Sequence, residues 1–215
     1  MQRFDLVIFD FDGTLADTGP VICDSFAAAV QGTAAARDAA AFRSWLGQPL
    51  ELVHALLQAE EAAFDLSVAV FVARYKKAYQ SADGDRTRLF PAVRELLGGL
   101  RAPLAIASTR PTSALIHQAR HLGIDHHFSH IQGTDGFAHK PDPEILHRVW
   151  RVLCARPERT LFIGDSTMDI QAGRAAGVTT VGVTHGAHPR EALQAAGAHH
   201  VIDTFEALAS LPFGP

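Results

Sequence analysis

The chain has 215 residues, 47% of them hydrophobic and 20% charged, the balance of a folded globular protein rather than a disordered or fibrous one. Lys and Arg number 19 and Asp and Glu 23, a net charge of −4 that leaves no basic footprint for nucleic acid or an anionic membrane surface. Cys23 and Cys154 form no CxxC pair, which excludes a disulfide framework and a cysteine zinc site and suits a reducing, cytoplasmic setting.

No apolar run approaches the ~20 residues of a membrane span. Asp5, Asp10 and Asp12 interrupt the N-terminal segment where a signal peptide would be apolar, so it reads as the start of a folded domain. Asp5–Asp10 (DLVIFD) is a short β-rich apolar run, and it predicts a buried parallel strand. From Thr18 to Ser81 no strand is expected. Ala is abundant there, and helical spacing links Val21, Ser25 and Ala28, then Leu52, Leu56 and Leu57, then Phe64, Val68, Phe71, Val72 and Tyr75. Pro20 and Pro49 suit first-turn positions, and Gly32 and Gly47 suit helix ends. The polar stretch Ser81–Arg88 (SADGDRTR) reads as a return linker.

Beyond it, strands are expected at Leu104–Ser108, Leu161–Gly164, Val178–Val183 and Val201–Asp203, with a weaker one at Ser129–Gly133. Helices are expected at Ala92–Arg101, Thr112–Leu122, Pro143–Cys154, Met168–Ala176, Pro189–Ala196 and Phe205–Leu211. Strand alternating with helix predicts an α/β fold, a doubly wound parallel sheet with helices on both faces. The first strand is followed by an all-helical insertion, so residues 1–17 and 82–215 form the core and 18–81 the insertion.

The first strand runs into DFDGTLADT. Residues i and i+2 of an extended chain point the same way, so Asp10 and Asp12 project together at its carboxyl end, where open α/β sheets bind ligands. At ~4 Å and an effective dielectric of about 20, two such charges repel by about 4 kcal/mol. The pair needs a cation, a shared proton or separate roles. Solvation in a loop accounts for either carboxylate alone. Gly13 and Thr14 add a tight turn and a hydroxyl.

A second acidic pair lies in LFIGDSTMDI. Asp165 ends a strand, and Asp169 follows one helical turn later if a helix starts near Ser166. With the strands adjacent, four carboxylates converge in one crevice, a hard oxygen set suited to Mg2+. Asp165 could instead cap the helix, as could Ser166. Lys140, in AHKPDPEIL, is held extended by Pro141 ahead of a helix opened by Pro143, and supplies the one cation such a crevice needs to hold an anion. Ser108 and Thr109 end the strand LAIAS, with a helix starting at Pro111 or Thr112, where free N–H groups could bind phosphate oxygens.

The order of these four segments resembles the haloacid-dehalogenase-like (HAD) superfamily, in its subclass of small phosphatases with a helical cap. The resemblance covers essentially the whole chain and rests on DFDGTLADT, the Ser108 strand end, Lys140 in HKPDPE, and GDSTMDI. LGQPLELV and RLFPAVRELLGGL look most like phosphoglycolate phosphatases. Two departures bear on the substrate rather than the reaction. Thr109 and Arg110 follow the second-motif hydroxyl where Asn or Gly is frequent, and Gln48 replaces the Leu of a frequent GLP.

The resemblance implies a Rossmann-like core and a Mg2+-dependent phosphatase acting on a small phosphorylated metabolite, as a monomer or homodimer. Asp10 would be the nucleophile and Asp12 the acid and base. Asp10, the Asp12 carbonyl and Asp165 would hold the metal, and Asp169 would act from behind them. Ser108, Thr109, Thr14 and Lys140 would hold phosphoryl oxygens, and Gln48, with Arg43, would influence substrate choice. A phosphomutase like β-phosphoglucomutase and an inorganic pyrophosphatase share this machinery. A receiver-like phospho-aspartate switch shares its residue types, but it lacks the insertion, and its phosphorylated Asp usually ends a middle strand. Asp12 argues against a dehalogenase, which needs no leaving-group acid. Lys76 and Lys77 read as a solvated face, and the loop histidines, His185 and His188 among them, as solvated imidazoles; His139, beside Lys140, is the better placed to tune the site.

Overall fold

The computed structural model describes residues 4–210, apart from the side chains of residues 82–85 and 209–210. It separates into two compact units, one built from the chain up to Asp17 and from Arg88 onward, the other from Thr18 to Thr87.

The first unit carries a six-stranded sheet. Its strands are β1 (Leu6–Phe9), β4 (Leu104–Ala107), β5 (His130–Gln132), β6 (Thr160–Gly164), β7 (Thr179–Val183) and β8 (His200–Ile202), in the spatial order β5-β4-β1-β6-β7-β8. Every neighbouring pair is parallel. Two short strands, β2 (Ala16–Asp17) and β3 (Arg88–Leu89), pair antiparallel where the chain leaves this unit and re-enters it.

All four residues of β1 are buried, because both faces of the sheet are covered. Val7 and Phe9 join one apolar layer with Val93, Leu97, Leu115 and Phe205, while Leu6 and Ile8 join the opposite layer with Ile145, Val149 and Phe162. A two-residue period thus feeds two cores from one strand. The flanking helices are α4 (Val93–Gly99), α5 (Thr112–His121), α6 (Glu144–Leu153), α7 (Thr167–Ala175) and α8 (Arg190–Ala195), each within two residues of the sequence expectation. The last expected helix is instead a 3-10 segment, Phe205–Ser210. Its expected end at Leu211 lies outside the described residues.

The second unit is helical: α1 (Gly19–Val30), a 3-10 segment (Ala39–Trp45), α2 (Leu50–Glu60) and α3 (Val68–Arg86). Its own core centres on Phe26, which stacks on Phe42 at 5.4 Å and on Phe71 at 6.3 Å between ring centroids. Leu52 and Val68, assigned to the apolar stripe from sequence, are 46% and 41% exposed. The buried stripe of α2 runs instead through Val53, His54 and Leu57, and the His54 ring is accommodated by a 2.7 Å hydrogen bond to the Leu66 carbonyl.

The return linker read at Ser81–Arg88 is a correction: α3 continues to Arg86, and the unit ends at Thr87. Polar residues and a lone Gly look like a loop, but without Pro nothing there forbids helical backbone. Arg86 in the last turn pairs with Asp24 of α1 at 2.6 Å. No helix among the described residues is long and apolar enough to cross a membrane. Cys23 and Cys154 are both free thiols.

Candidate active site

The sheet order places β1 between β4 and β6, the two strands from which the chain winds outward in opposite directions. Asp10, Ser108 and Asp165 follow directly on β1, β4 and β6, so all three emerge at the carboxyl edge of the sheet's centre, where the reversal of winding leaves a crevice. The Asp10 N–H donates to the Ile163 carbonyl at 2.8 Å, extending the β1–β6 ladder to the residue that carries the carboxylate.

Asp10, Asp165 and Asp169 are buried and offer carboxylate oxygens that all lie within 4.8 Å of one another. The expectation of four converging carboxylates is corrected to three. Asp12 is drawn to Arg110, whose Nε donates to Oδ2 and whose Nη2 donates to Oδ1, each at 2.6 Å. Lys140 is 3% exposed, and its ammonium donates to Asp10 Oδ1 at 2.8 Å, Asp169 Oδ1 at 2.6 Å and the Ala107 carbonyl at 3.3 Å. The Lys140–Pro141 peptide is cis. Lys140 is thus the cation on Asp10 and Asp169, and Arg110 is a second cation beside it, on Asp12.

Asp169 is a fully committed carboxylate. One oxygen takes Lys140, and the other accepts from the Ser166 N–H at 3.0 Å and the Ser166 hydroxyl at 2.5 Å. The Ser166 hydroxyl in turn accepts from the Asp169 N–H, a capping box that opens α7 and leaves Asp165 free of capping duty. Gly164 is required here, since a Cβ on it would lie 2.4 Å from that of Asp169.

Asp165 is held from both sides. Thr14 Oγ1 donates to Oδ1 at 3.0 Å, and the Ala187 N–H donates to Oδ2 at 2.6 Å. Thr14, expected at the substrate, is fully buried and orients this carboxylate instead. A Cβ on Gly13, whose φ is +75°, would fall 2.1 Å from Asp165 Oδ2, and one on Gly186 would fall 2.2 Å from it.

The loop after β7 is therefore a wall of the site. His185 is not a solvated imidazole: its Nε2 lies 3.0 Å from the Thr14 carbonyl, and its ring packs on Phe90 and Phe205. His188 is half-buried, and burial holds its imidazole below the usual histidine range, with Asp169 opposing the shift. His139 is exposed, as are Lys76 and Lys77.

Burial raises Asp10 well above the usual carboxylate range; Lys140 opposes this, while Asp169 and Asp165 add to it. Asp165 is pushed up to about 7 by burial and the neighbouring Asp169, against the Ala187 and Thr14 hydrogen bonds. Burial alone would lower Lys140, but Asp10 and Asp169 outweigh it and hold it charged. Three buried carboxylates with one ammonium leave an excess of negative charge that a hard divalent cation would balance. The residues present thus fit Mg2+.

Ser108 is fully buried, and its hydroxyl accepts from the Arg110 N–H at 3.3 Å. Thr109 is half-buried beside it. α5 starts at Thr112, but the Thr112 N–H already has the Asp135 carboxylate at 3.2 Å. Gln48 and Arg43 belong to the helical unit; the Gln48 N–H donates to the Trp45 carbonyl at 3.1 Å, and Arg43 is exposed. Arg110 is the site residue that sequence reasoning missed. Its only signal was its place directly after Thr109, the residue that stands where Asn or Gly is frequent, beside the strand end that carries Ser108.

Comparison with known proteins identifies the family. Residues 7–183 match the family model of the haloacid dehalogenase-like hydrolases. A Dickeya dadantii protein named "Probable phosphatase IndB" is 32% identical over 207 residues, covering 93% of this chain and 90% of its own length. The phosphoglycolate phosphatase of Mesorhizobium japonicum is 33% identical over 219 residues, covering 94% of this chain and 92% of its own. A solved haloacid dehalogenase-like hydrolase from Streptococcus pneumoniae superposes with a TM-score of 0.86 at 27% identity, over 98% of this chain and 99% of that one. With its acidic triad at the centre of the sheet and a family match over most of its length, the chain belongs to the haloacid dehalogenase-like hydrolase family.

Proposed function

We propose that this hydrolase is a Mg2+-dependent phosphatase that cleaves a small phosphate monoester through an aspartyl phosphate on Asp10, with 2-phosphoglycolate the leading candidate substrate. The observation that carries the reading is the buried triad of Asp10, Asp165 and Asp169 around Lys140 at the end of β1. Relatives named as phosphatases, phosphoglycolate phosphatases among them, support the reaction class and the candidate substrate.

In the proposed reaction Asp12 first takes up a proton from solvent, because the Arg110 fork favours its ionised form; an Asp10 carboxylate oxygen then attacks phosphorus, the bond to the ester oxygen breaks, and Asp12 gives that oxygen its proton. Asp12 then takes a proton from water, the water oxygen attacks phosphorus, and the bond to Asp10 breaks to release inorganic phosphate. The Ser108–Thr109 strand end holds the phosphoryl oxygens, and Lys140, whose three N–H groups are engaged by Asp10, Asp169 and the Ala107 carbonyl, acts on them by its charge and by exchanging one of those bonds for a phosphoryl oxygen. Asp10, the Asp12 carbonyl and Asp165 would hold Mg2+, which neutralises phosphoryl charge when bound. Asp169, committed to Lys140 and Ser166, acts by keeping that lysine in place.

Gln48 and Arg43 are proposed to bias substrate choice, and the enzyme to work in the cytoplasm as a monomer or homodimer. The test is a screen of phosphoglycolate, sugar phosphates, nucleotides and pyrophosphate with Mg2+ and with EDTA. Phosphate release from an ester that needs Mg2+ is expected. Isomerisation without release would favour a phosphomutase, and a long-lived phosphorylated chain without turnover would favour a switch.

A further inference from the structure

We infer that Arg110 is a positioning residue for Asp12, and that the turn after β5 fixes Arg110 in turn. This rests on the proposed role of Asp12 as the proton-transfer group. The two parallel bonds at 2.6 Å form a fork that sets both the position and the plane of the carboxylate and favours its ionised form, so the proton that Asp12 gives in the first step is taken up from solvent beforehand. The guanidinium carbon lies over the buried Phe11 ring, 5.5 Å from its centroid, and the Arg110 side chain is only 12% exposed.

The backbone beneath it is clamped. The Arg110 carbonyl accepts from the Thr134 N–H at 2.8 Å, and the Gly133 N–H donates to Thr112 Oγ1 at 2.9 Å. A Cβ on Gly133 would lie 2.3 Å from both the Arg110 carbonyl oxygen and the Thr112 nitrogen, so only glycine permits this approach. The two cations are thereby sorted. Lys140 serves Asp10 and Asp169, and Arg110 serves Asp12.

Proton transfer needs the carboxylate within hydrogen-bond reach of the leaving oxygen, and small misplacements cost heavily. Lysine has the charge but not the planar fork, so Arg110→Lys is not a conservative change here.

The experiment compares kcat/KM for an alkyl phosphate and for p-nitrophenyl phosphate in the wild type, Arg110→Met, Arg110→Lys, Asp12→Asn and the Asp12→Asn/Arg110→Met double variant, with folding checked by thermal melting. Both Arg110 variants are expected to lose about 10- to 100-fold on the alkyl ester. The loss should be much smaller on the nitrophenyl ester, whose leaving group departs without a proton. In the Asp12→Asn background the Arg110→Met change should cost little more. Equal losses on both esters, or full additivity with Asp12→Asn, would overturn the inference in favour of direct substrate binding or a merely structural role. Nitrogen-15 NMR of the Arg110 Nε–H supplies a readout free of catalysis: a slowly exchanging signal should shift in Asp12→Asn. No shift would overturn the fork itself, whereas a wild type inert on every ester with the NMR shift intact would overturn the phosphatase reading alone.

Discussion

Asp10 and Asp12 are two residues apart, yet the structure gives them different surroundings and so different uses. Asp10 is buried against Lys140 and two other carboxylates, while the Asp12 side chain is 21% exposed on Arg110. Replacing the nucleophile, Asp10→Asn, is expected to abolish turnover while the melting temperature holds or rises, because one of three crowded carboxylates becomes neutral; near-wild-type rates would rule it out as nucleophile. Asp12→Asn should lower kcat/KM on an alkyl ester by about 10²–10⁴-fold and on the nitrophenyl ester far less. The acidic triad also makes a pH prediction. Asp10 and Asp165 are raised above their unfolded values, Asp165 from 3.8 to about 7. The metal-free fold therefore keeps their contribution to stability at low pH and loses it as pH climbs through that range. Mg2+ replaces those protons, so the gain in melting temperature on adding it should be larger at about pH 8 than at about pH 5. A gain that does not depend on pH would count against Asp10 and Asp165 as metal ligands.

At the scale of elements, the site depends on loops that reach the sheet edge with no room to spare. The turn after β1 brings Gly13 against Asp165, and the loop after β7 brings Gly186 to the same carboxylate. A Cβ on Gly186 would also sit 2.3 Å from the Gly13 carbonyl, a backbone atom that cannot swing aside. Gly186→Ala should therefore destabilise the fold by about 1–3 kcal/mol and weaken metal binding together. Denaturant unfolding with and without Mg2+ checks this, and an unchanged Mg2+ response would mean that the loop is not a wall of the metal site. The helix starts contribute in the same local way. Ser166 caps α7, and that is what aims Asp169 at Lys140 rather than at solvent.

At the scale of the molecule, two cores are built from separate stretches of chain. The aromatic cluster of Phe26, Phe42 and Phe71 lies wholly in the helical unit, and the two layers around β1 lie wholly in the sheet unit. Truncating Phe26 to Ala should cost about 3–5 kcal/mol in the helical core. Hydrogen exchange should then quicken in α1 and α3 well before it quickens in β1, β4 and β6. Equal acceleration in both units would mean that they unfold as one.

Much of this was legible in the chain itself. Runs such as LVIF and LFIG, short, apolar and bounded by Asp or Gly, read as buried strands, and their alternation with amphipathic helices predicted the parallel sheet. The same residues placed Asp10, Ser108, Lys140, Asp165 and Asp169 at strand ends and helix starts, because those positions follow from local chain geometry. Local pattern could not say where side chains with several accessible partners would turn. Arg110 and Asp12 lie 98 residues apart and meet only because β4 pairs with β1. Thr14 turned from the expected substrate to Asp165, 151 residues on, because β6 pairs with β1 on the other side. Polar SADGDR continued a helix where composition suggested a loop, since hydrogen-bonded backbone geometry does not need apolar side chains. The chain determined which groups reach the edge of the sheet; the pairing of distant strands decided which of them hold one another there.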